Sequence, residues 1–166
     1  YIYGADGESI AKVVVDRLID LGQTVAVAES CTGGFLGHNI TSIPGASAVF
    51  VGGIISYSNE LKHKLLDVKN DTLEKHGAVS KAVALEMAEG ARAATGADHT
   101  LSVTGIAGPG GGSTEKPVGT VWLGLASAGE RPLAVKKHHP YNRETFKQAS
   151  VNQSLELLRR RIQRDC

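Results

Sequence analysis

Only two cysteines, Cys31 and Cys166, occur among the 166 residues. One sits at an apolar-to-glycine transition and the other is the last residue, so they build no disulfide framework; this scarcity fits a reduced, cytoplasmic setting. Long apolar runs are missing as well. No stretch approaches the roughly 18 residues of a membrane-spanning helix, and the N-terminus carries no basic-then-apolar leader. Neither sign of charge dominates: 18 basic against 17 acidic side chains leave +1, which gives duplex nucleic acid no electrostatic hold as the main partner. There is no internal repeat and no linker. A mass of 17.4 kDa suffices for one hydrophobic core and is short for two. With 42% apolar and 21% charged residues, the chain reads as one globular domain over residues 1–166, and disorder, collagen and coiled coil are excluded.

Glycine is what the sequence has in excess. Twenty of 166 residues is about 12% against a usual ~7%, and eleven of the twenty fall between Gly33 and Gly53 or between Gly105 and Gly112. Clustering of this kind points to backbone that must approach something closely. Charge is also unevenly placed. Residues 1–130 hold 9 basic and 14 acidic side chains, and residues 131–166 hold 9 and 3, including Arg159, Arg160, Arg161 and Arg164. A solvated helix face accounts for that run better than a docking surface for an anionic partner.

Ile10, Val13, Val14, Leu18 and Leu21 lie on one helical stripe after Ser9, and Gly22 stops it. Residues 24–28 read as a buried strand that runs into Glu29-Ser30-Cys31-Thr32-Gly33-Gly34 and a helix through Ile40. A strand over 49–57, a helix over 58–66, an Asp71/Glu74 capping box and an Ala-rich helix from Ser80 to about Thr95 come next. Strands over 100–104, 118–126 and 133–138 and a closing helix over 144–163 complete the chain. Early strand–helix alternation followed by a hairpin predicts a layered α/β domain with helices on both faces of a mixed sheet. Ligands on such sheets bind beyond the strand C-termini, where both glycine windows begin.

The loop from Gly105 to Ser113 has the glycine density of an anion cradle. It fits neither the Walker pattern, with Gly at 111 where Lys is required, nor the dinucleotide pattern, with Ser at 113 where Gly is required. Ser30, at a strand-to-helix turn, faces helix-start N–H groups that can stabilise an oxyanion, although a plain N-cap serine is equally compatible with the local sequence. Cys31 reads as a small buried residue with no cationic neighbour to activate it. Lys62 reads locally as a solvated helix lysine, and it becomes a base only if burial makes it neutral. The six histidines have no metal-ligand spacing; His138 and His139 are adjacent on an expected strand and face opposite ways.

Four ordered blocks carry a specific resemblance: Ala28-Glu-Ser-Cys-Thr-Gly-Gly34; Tyr57-Ser-Asn-Glu-Leu-Lys62; His76-Gly-Ala-Val-Ser80; and Thr104-Gly-Ile-Ala-Gly-Pro-Gly-Gly-Gly-Ser113 with Glu115-Lys-Pro-Val-Gly-Thr-Val-Trp122. Together they resemble the C-terminal domain family of the competence/damage-inducible protein CinA, from about residue 8 to the end. The resemblance implies a three-layer α/β/α sandwich with a mixed, mainly parallel five-stranded sheet. It implies nicotinamide-nucleotide amidohydrolysis, with Ser30 as nucleophile, Lys62 as general base and Tyr57 as proton relay or orienting hydroxyl. Thr32, Gly33 and Gly34 would stabilise the oxyanion, Thr104, Gly105, Gly108, Gly110 and Gly111 would border the substrate, and Arg143 would bind its phosphate. The partner implied is a small nucleotide, with no metal or cofactor, and a homodimer. Many relatives have Asp where Gly110 stands. The nucleotide-processing domain of full-length CinA proteins is not in this sequence, so a stand-alone form is expected. The competing expectation is a non-enzymatic nucleotide-sensing or interaction module using the basic C-terminal segment.

Overall fold

Ser9 accepts a hydrogen bond from the Lys12 N–H at 3.2 Å and so caps α1 (Ile10–Leu21), one of six α-helices among the residues that the computed structural model describes, 7–164. Cys166 and the first six residues lie outside that range. The buried stripe of α1 is Ile10, Ala11, Val14, Val15 and Leu18. Val13, placed on the stripe by its spacing, is only half-buried, because the buried row is centred between Ala11 and Leu18.

Five strands, β1 (Val25–Glu29), β2 (Phe50–Ile55), β3 (His99–Gly105), β4 (Thr120–Ser127) and β5 (Leu133–His138), form one sheet in the order β2-β1-β3-β4-β5. β1 pairs in parallel with β2 and β3, while β3–β4 and β4–β5 are antiparallel. Four strands therefore point one way and β4 alone opposes them, which is the expected mixed, mainly parallel sheet. α1, α2 (Phe35–Thr41) and α6 (Arg143–Gln163) cover one face; α3 (Asn59–Leu66), α4 (Asn70–His76) and α5 (Lys81–Thr95) cover the other. The result is the three-layer α/β/α sandwich. Beneath α1 and α6 the core is apolar, with Val25, Val27, Leu101, Val103, Phe146 and Leu155 all essentially inaccessible, each contributing roughly 1.5–3 kcal/mol by burial.

The α5 side is packed differently. There β3 presents hydroxyls: Thr100, Ser102 and Thr104 donate to the carbonyls of Ala88, Ala84 and Ala78 at 2.6, 2.6 and 2.8 Å. No buried hydroxyl on this row is left unpaired, so the seam avoids the cost of an orphaned polar group. Further along α5, Gly90 touches the C-terminal end of α3. A Cβ at Gly90 would collide with the Leu66 carbonyl, so this contact fixes how closely α3, which carries Lys62, can approach.

α4 corrects one local expectation. Asp71 does not cap it; Lys69 is the N-cap residue and supplies no side-chain bond. Glu86 on α5 does that work instead, accepting from Lys69 N–H at 3.1 Å and Thr72 Oγ1 at 2.8 Å. A carboxylate from a packed neighbour takes the place of the local box by accepting from the N–H of the N-cap residue and a first-turn hydroxyl at the positive end of the helix dipole.

Candidate active site

The C-terminal end of β1 delivers Ser30 to the sheet edge, where its N–H donates to the Val103 carbonyl at 3.0 Å. Ser30 is not the N-cap of α2. That helix begins at Phe35 with Gly34 as its N-cap residue, and residues 30–34 form a separate turn closed by Gly33 N–H donating to Ser30 O at 3.0 Å. Glu29 holds the turn. Its carboxylate, on a residue 1% exposed, accepts from Thr32 Oγ1 at 2.6 Å, Leu36 N–H at 2.8 Å and Gly37 N–H at 3.0 Å. In the first turn of α2, the Leu36 and Gly37 N–H groups are thus satisfied by Glu29 and the Phe35 N–H by Thr32 O at 3.1 Å, and of the Thr32–Gly34 donors expected at an oxyanion the Gly33 N–H is taken by Ser30 O.

Lys62 is the largest correction to the local reading. It is 1% exposed, on the face of α3 turned toward the sheet. Its Nζ lies 3.0 Å from Ser30 Oγ and donates to the carbonyls of Ser56 and Tyr57 at 2.9 and 3.1 Å. Burial pushes its pKa below the ordinary lysine value, and among the described residues no carboxylate forms a salt bridge with it. Beside it, Cys31 is buried and its thiol is pushed up to about 12 by burial. That group stays protonated at neutral pH because burial outweighs Lys62 and Arg143, two nearby cations that its sequence context did not show.

A cleft of about 270 Å³ opens over this pair, close to the low end of the roughly 300–1,000 Å³ typical of small-molecule pockets. Ser30, Cys31, Tyr57, Asn59, Lys62 and Arg143 line one part of it, and Thr104, Gly105, Gly108, Gly110 and Gly111 line another. Thr32, Gly33 and Gly34 are not on its wall: Thr32 is fully buried against Glu29, and the two glycines shape the turn. Gly108 and Gly111, at φ of 82° and 88°, hold left-handed backbone that L side chains rarely adopt. Among the described residues the N–H groups of Gly110 and Gly111 donate to no acceptor within the fold, so they are available to a ligand.

Arg143, the first residue of α6, straps the cleft. Its Nη1 donates to Gly108 O at 2.6 Å and its Nη2 to Tyr57 Oη at 3.0 Å. The Tyr57 hydroxyl therefore bonds Arg143 and makes no hydrogen bond to Ser30 or Lys62, while its carbonyl holds the lysine. Asn59 and Glu29 were not singled out from the sequence. Asn59 is simply the first residue of α3, and Glu29 caps a helix that starts six residues later, beyond any local capping spacing.

The basic C-terminal run is partly neutralised, with two carboxylates set against its four arginines. Glu156 pairs with Arg159 and Arg160 at 2.7 and 2.9 Å, and Arg161, 4% exposed, lies 3.0 Å from Glu130. The expected fully solvated basic face is not formed, because Arg161 packs inward toward the β4–β5 turn. Among the described residues no group of three or more His, Cys, Asp or Glu side chains is arranged to hold a metal, and no helix is long and apolar enough to cross a membrane.

The model of the CinA C-terminal domain matches residues 7–162. A CinA-like protein of Parasynechococcus marenigrum (strain WH8102) is 49% identical over 163 residues, covering 98% of this chain and 39% of that protein. A CinA-like protein of Thermotoga maritima is 45% identical over 160 residues, covering 96% and 39%. This chain therefore spans 39% of the length of these relatives. The crystal structure of the competence/damage inducible protein CihA from Agrobacterium tumefaciens aligns with a TM-score of 0.87 at 41% identity, covering 90% of this chain and 91% of that one. A CinA superfamily protein from Klebsiella pneumoniae 700603 aligns with a TM-score of 0.89 at 30% identity, covering 93% and 96%.

Proposed function

This chain belongs to the CinA C-terminal domain family, and from that premise we propose that it is a Ser–Lys amidohydrolase converting nicotinamide mononucleotide and water to nicotinate mononucleotide and ammonia. The observation that carries the reading is the buried Lys62 amine, 3.0 Å from Ser30 Oγ. A neutral amine has two N–H groups and one lone pair. The carbonyls of Ser56 and Tyr57 take the two N–H groups, which leaves the lone pair for the Ser30 hydroxyl.

Lys62 removes the Ser30 proton as Oγ attacks the carboxamide carbon, and the carbonyl oxygen gains negative charge. N–H groups at the cleft wall, those of the Gly110–Gly111 backbone among them, are the donors available for substrate oxygens. The C–N bond then breaks, the ammonium of Lys62 returns its proton to the leaving nitrogen, and ammonia departs. Water attacks the Ser30 ester with Lys62 again as base, releasing the carboxylate product and restoring Ser30. Arg143 meets the nucleotide phosphate in this reading, since a guanidinium suits phosphate oxygens geometrically; the contacts with Gly108 and Tyr57 fix its position beforehand.

The test is ammonia release from nicotinamide mononucleotide. Ser30→Ala is expected to lower turnover by at least roughly a thousandfold, while Cys31→Ala keeps most of it. Equal rates from wild type and Ser30→Ala would refute the nucleophile, and a dead Cys31→Ala beside an active Ser30→Ala would transfer the role to the thiol.

A further inference from the structure

Arg143 borders two hollows. One is the cleft over Ser30; the other, of about 410 Å³, is lined by Phe35, Arg143, Glu144 and Lys147. Arg143 and Lys147 are separated by four residues on α6 and so lie on one face of the helix. The Lys147 ammonium stands 5.8 Å from the centroid of the Phe35 ring, within cation–π distance. Among the described residues it forms no salt bridge, whereas Lys12, Arg159, Arg160 and Arg161 all do. Glu144 is the one carboxylate lining this hollow, and it forms no salt bridge with either cation.

The cleft over Ser30 is poor in positive charge. Lys62 is driven toward neutrality by its burial, and Arg143 already commits Nη1 and Nη2 to Gly108 and Tyr57. One phosphate at Arg143 takes up most of the donors left on that guanidinium, and the next cation on the same helix face is Lys147, beyond the strap. We propose that Phe35, Arg143 and Lys147 form a second anion subsite, which takes the distal phosphate of a diphosphate-bearing nucleotide whose first phosphate lies at Arg143. Arg143 bridges the two phosphate groups, Lys147 supplies the second charge, and the Phe35 ring holds the ammonium over the hollow. The larger second hollow accommodates the group attached beyond the distal phosphate, so this ligand class occupies both hollows and excludes mononucleotides while bound.

The inference rests on the nucleotide reading of the Ser30 cleft, and the experiment keeps the two apart by measuring anions without turnover. Titration calorimetry with inorganic phosphate and inorganic pyrophosphate, free of metal ions, is run on the wild type, Lys147→Ala, Lys147→Arg and the distant exposed control Lys136→Ala, each checked for folding by circular dichroism. Wild type is expected to bind pyrophosphate roughly five- to tenfold more tightly than phosphate. Lys147→Ala erases that preference, and Lys147→Arg and Lys136→Ala retain it. Equal affinities in the wild type, a preference intact in Lys147→Ala, or an equal loss in Lys136→Ala would each overturn the subsite. A Lys147-dependent preference in a protein that releases no ammonia would leave the subsite standing and remove only the proposed reaction.

Discussion

Glu29→Gln removes one charge and changes almost no volume, yet it strikes the turn that presents Ser30. The carboxylate satisfies three donors, Thr32 Oγ1, Leu36 N–H and Gly37 N–H, at 2.6, 2.8 and 3.0 Å. In the amide, one oxygen can still serve Thr32 and Leu36, but the NH2 group replaces the oxygen that meets Gly37, and a donor then faces a donor. A hydrogen bond to a charged group contributes about 1.5–3 kcal/mol, and neutral ones are roughly half as strong. Losing one bond and weakening two therefore costs about 3–6 kcal/mol gross. Relief from burying the charge offsets part of this, for a net loss of about 2–3 kcal/mol. In a chain of this length that is a fall in Tm of roughly 5–10 °C. Urea unfolding followed through the single tryptophan, Trp122, gives the number directly. Turnover measured where both proteins are folded should also fall, because Ser30 loses the restraint next to it. A stability change below about 0.5 kcal/mol at unchanged m-value would refute the claim that Glu29 holds the turn.

Two further outcomes are expected from the same geometry. Lys62 must be neutral to act, and its folded pKa lies below the ordinary lysine value. kcat/KM should therefore fall as pH drops through that folded value and level off above it; a profile flat from about pH 5 to about pH 9 would count against a lysine base. Gly90→Ala should destabilise the fold by about 3 kcal/mol or more, since the new methyl meets the Leu66 backbone and neither partner is a flexible side-chain tip. It should also lower turnover at temperatures where the variant is folded, by shifting α3 and with it Lys62; chemical denaturation and ammonia release read the two effects, and wild-type values in both would refute the role of this contact.

Most element boundaries were legible because their signals are local. Ser9, Ser58 and Ser80 accept hydrogen bonds from their own helices, and residues within three positions decide such contacts. The site was legible as a set of residue types at motif positions, not as an arrangement. Lys62 reads as solvated from its neighbours on α3 because its burial is imposed by the sheet edge and by α5, which the local pattern does not contain. Asp71 and Ser30 fail as caps because other carboxylates reach the helix starts, Glu86 from α5 and Glu29 across the turn that follows it. Arg161 shares its charge with its neighbours, but a step of one residue turns the helix by about 100° and carries the side chain from solvent at Arg160 to the interior at Arg161.

The row of hydroxyls on β3 has a geometric limit. Two residues of strand advance about 6.6–6.8 Å, and four residues of helix about 6.0 Å, so the two rulers agree well enough for Thr100 and Ser102 to match Ala88 and Ala84. After a second step they are out by about 1.4 Å. Thr104 meets Ala78, outside α5, and not Ser80, whose carbonyl serves Ala84 N–H. Thr104 and Ala78 both line the Ser30 cleft. The cleft thus opens where α5 has already ended at its N-cap, Ser80, so the hydroxyl row of β3 outruns the helix and its last member faces the loop at the cleft wall.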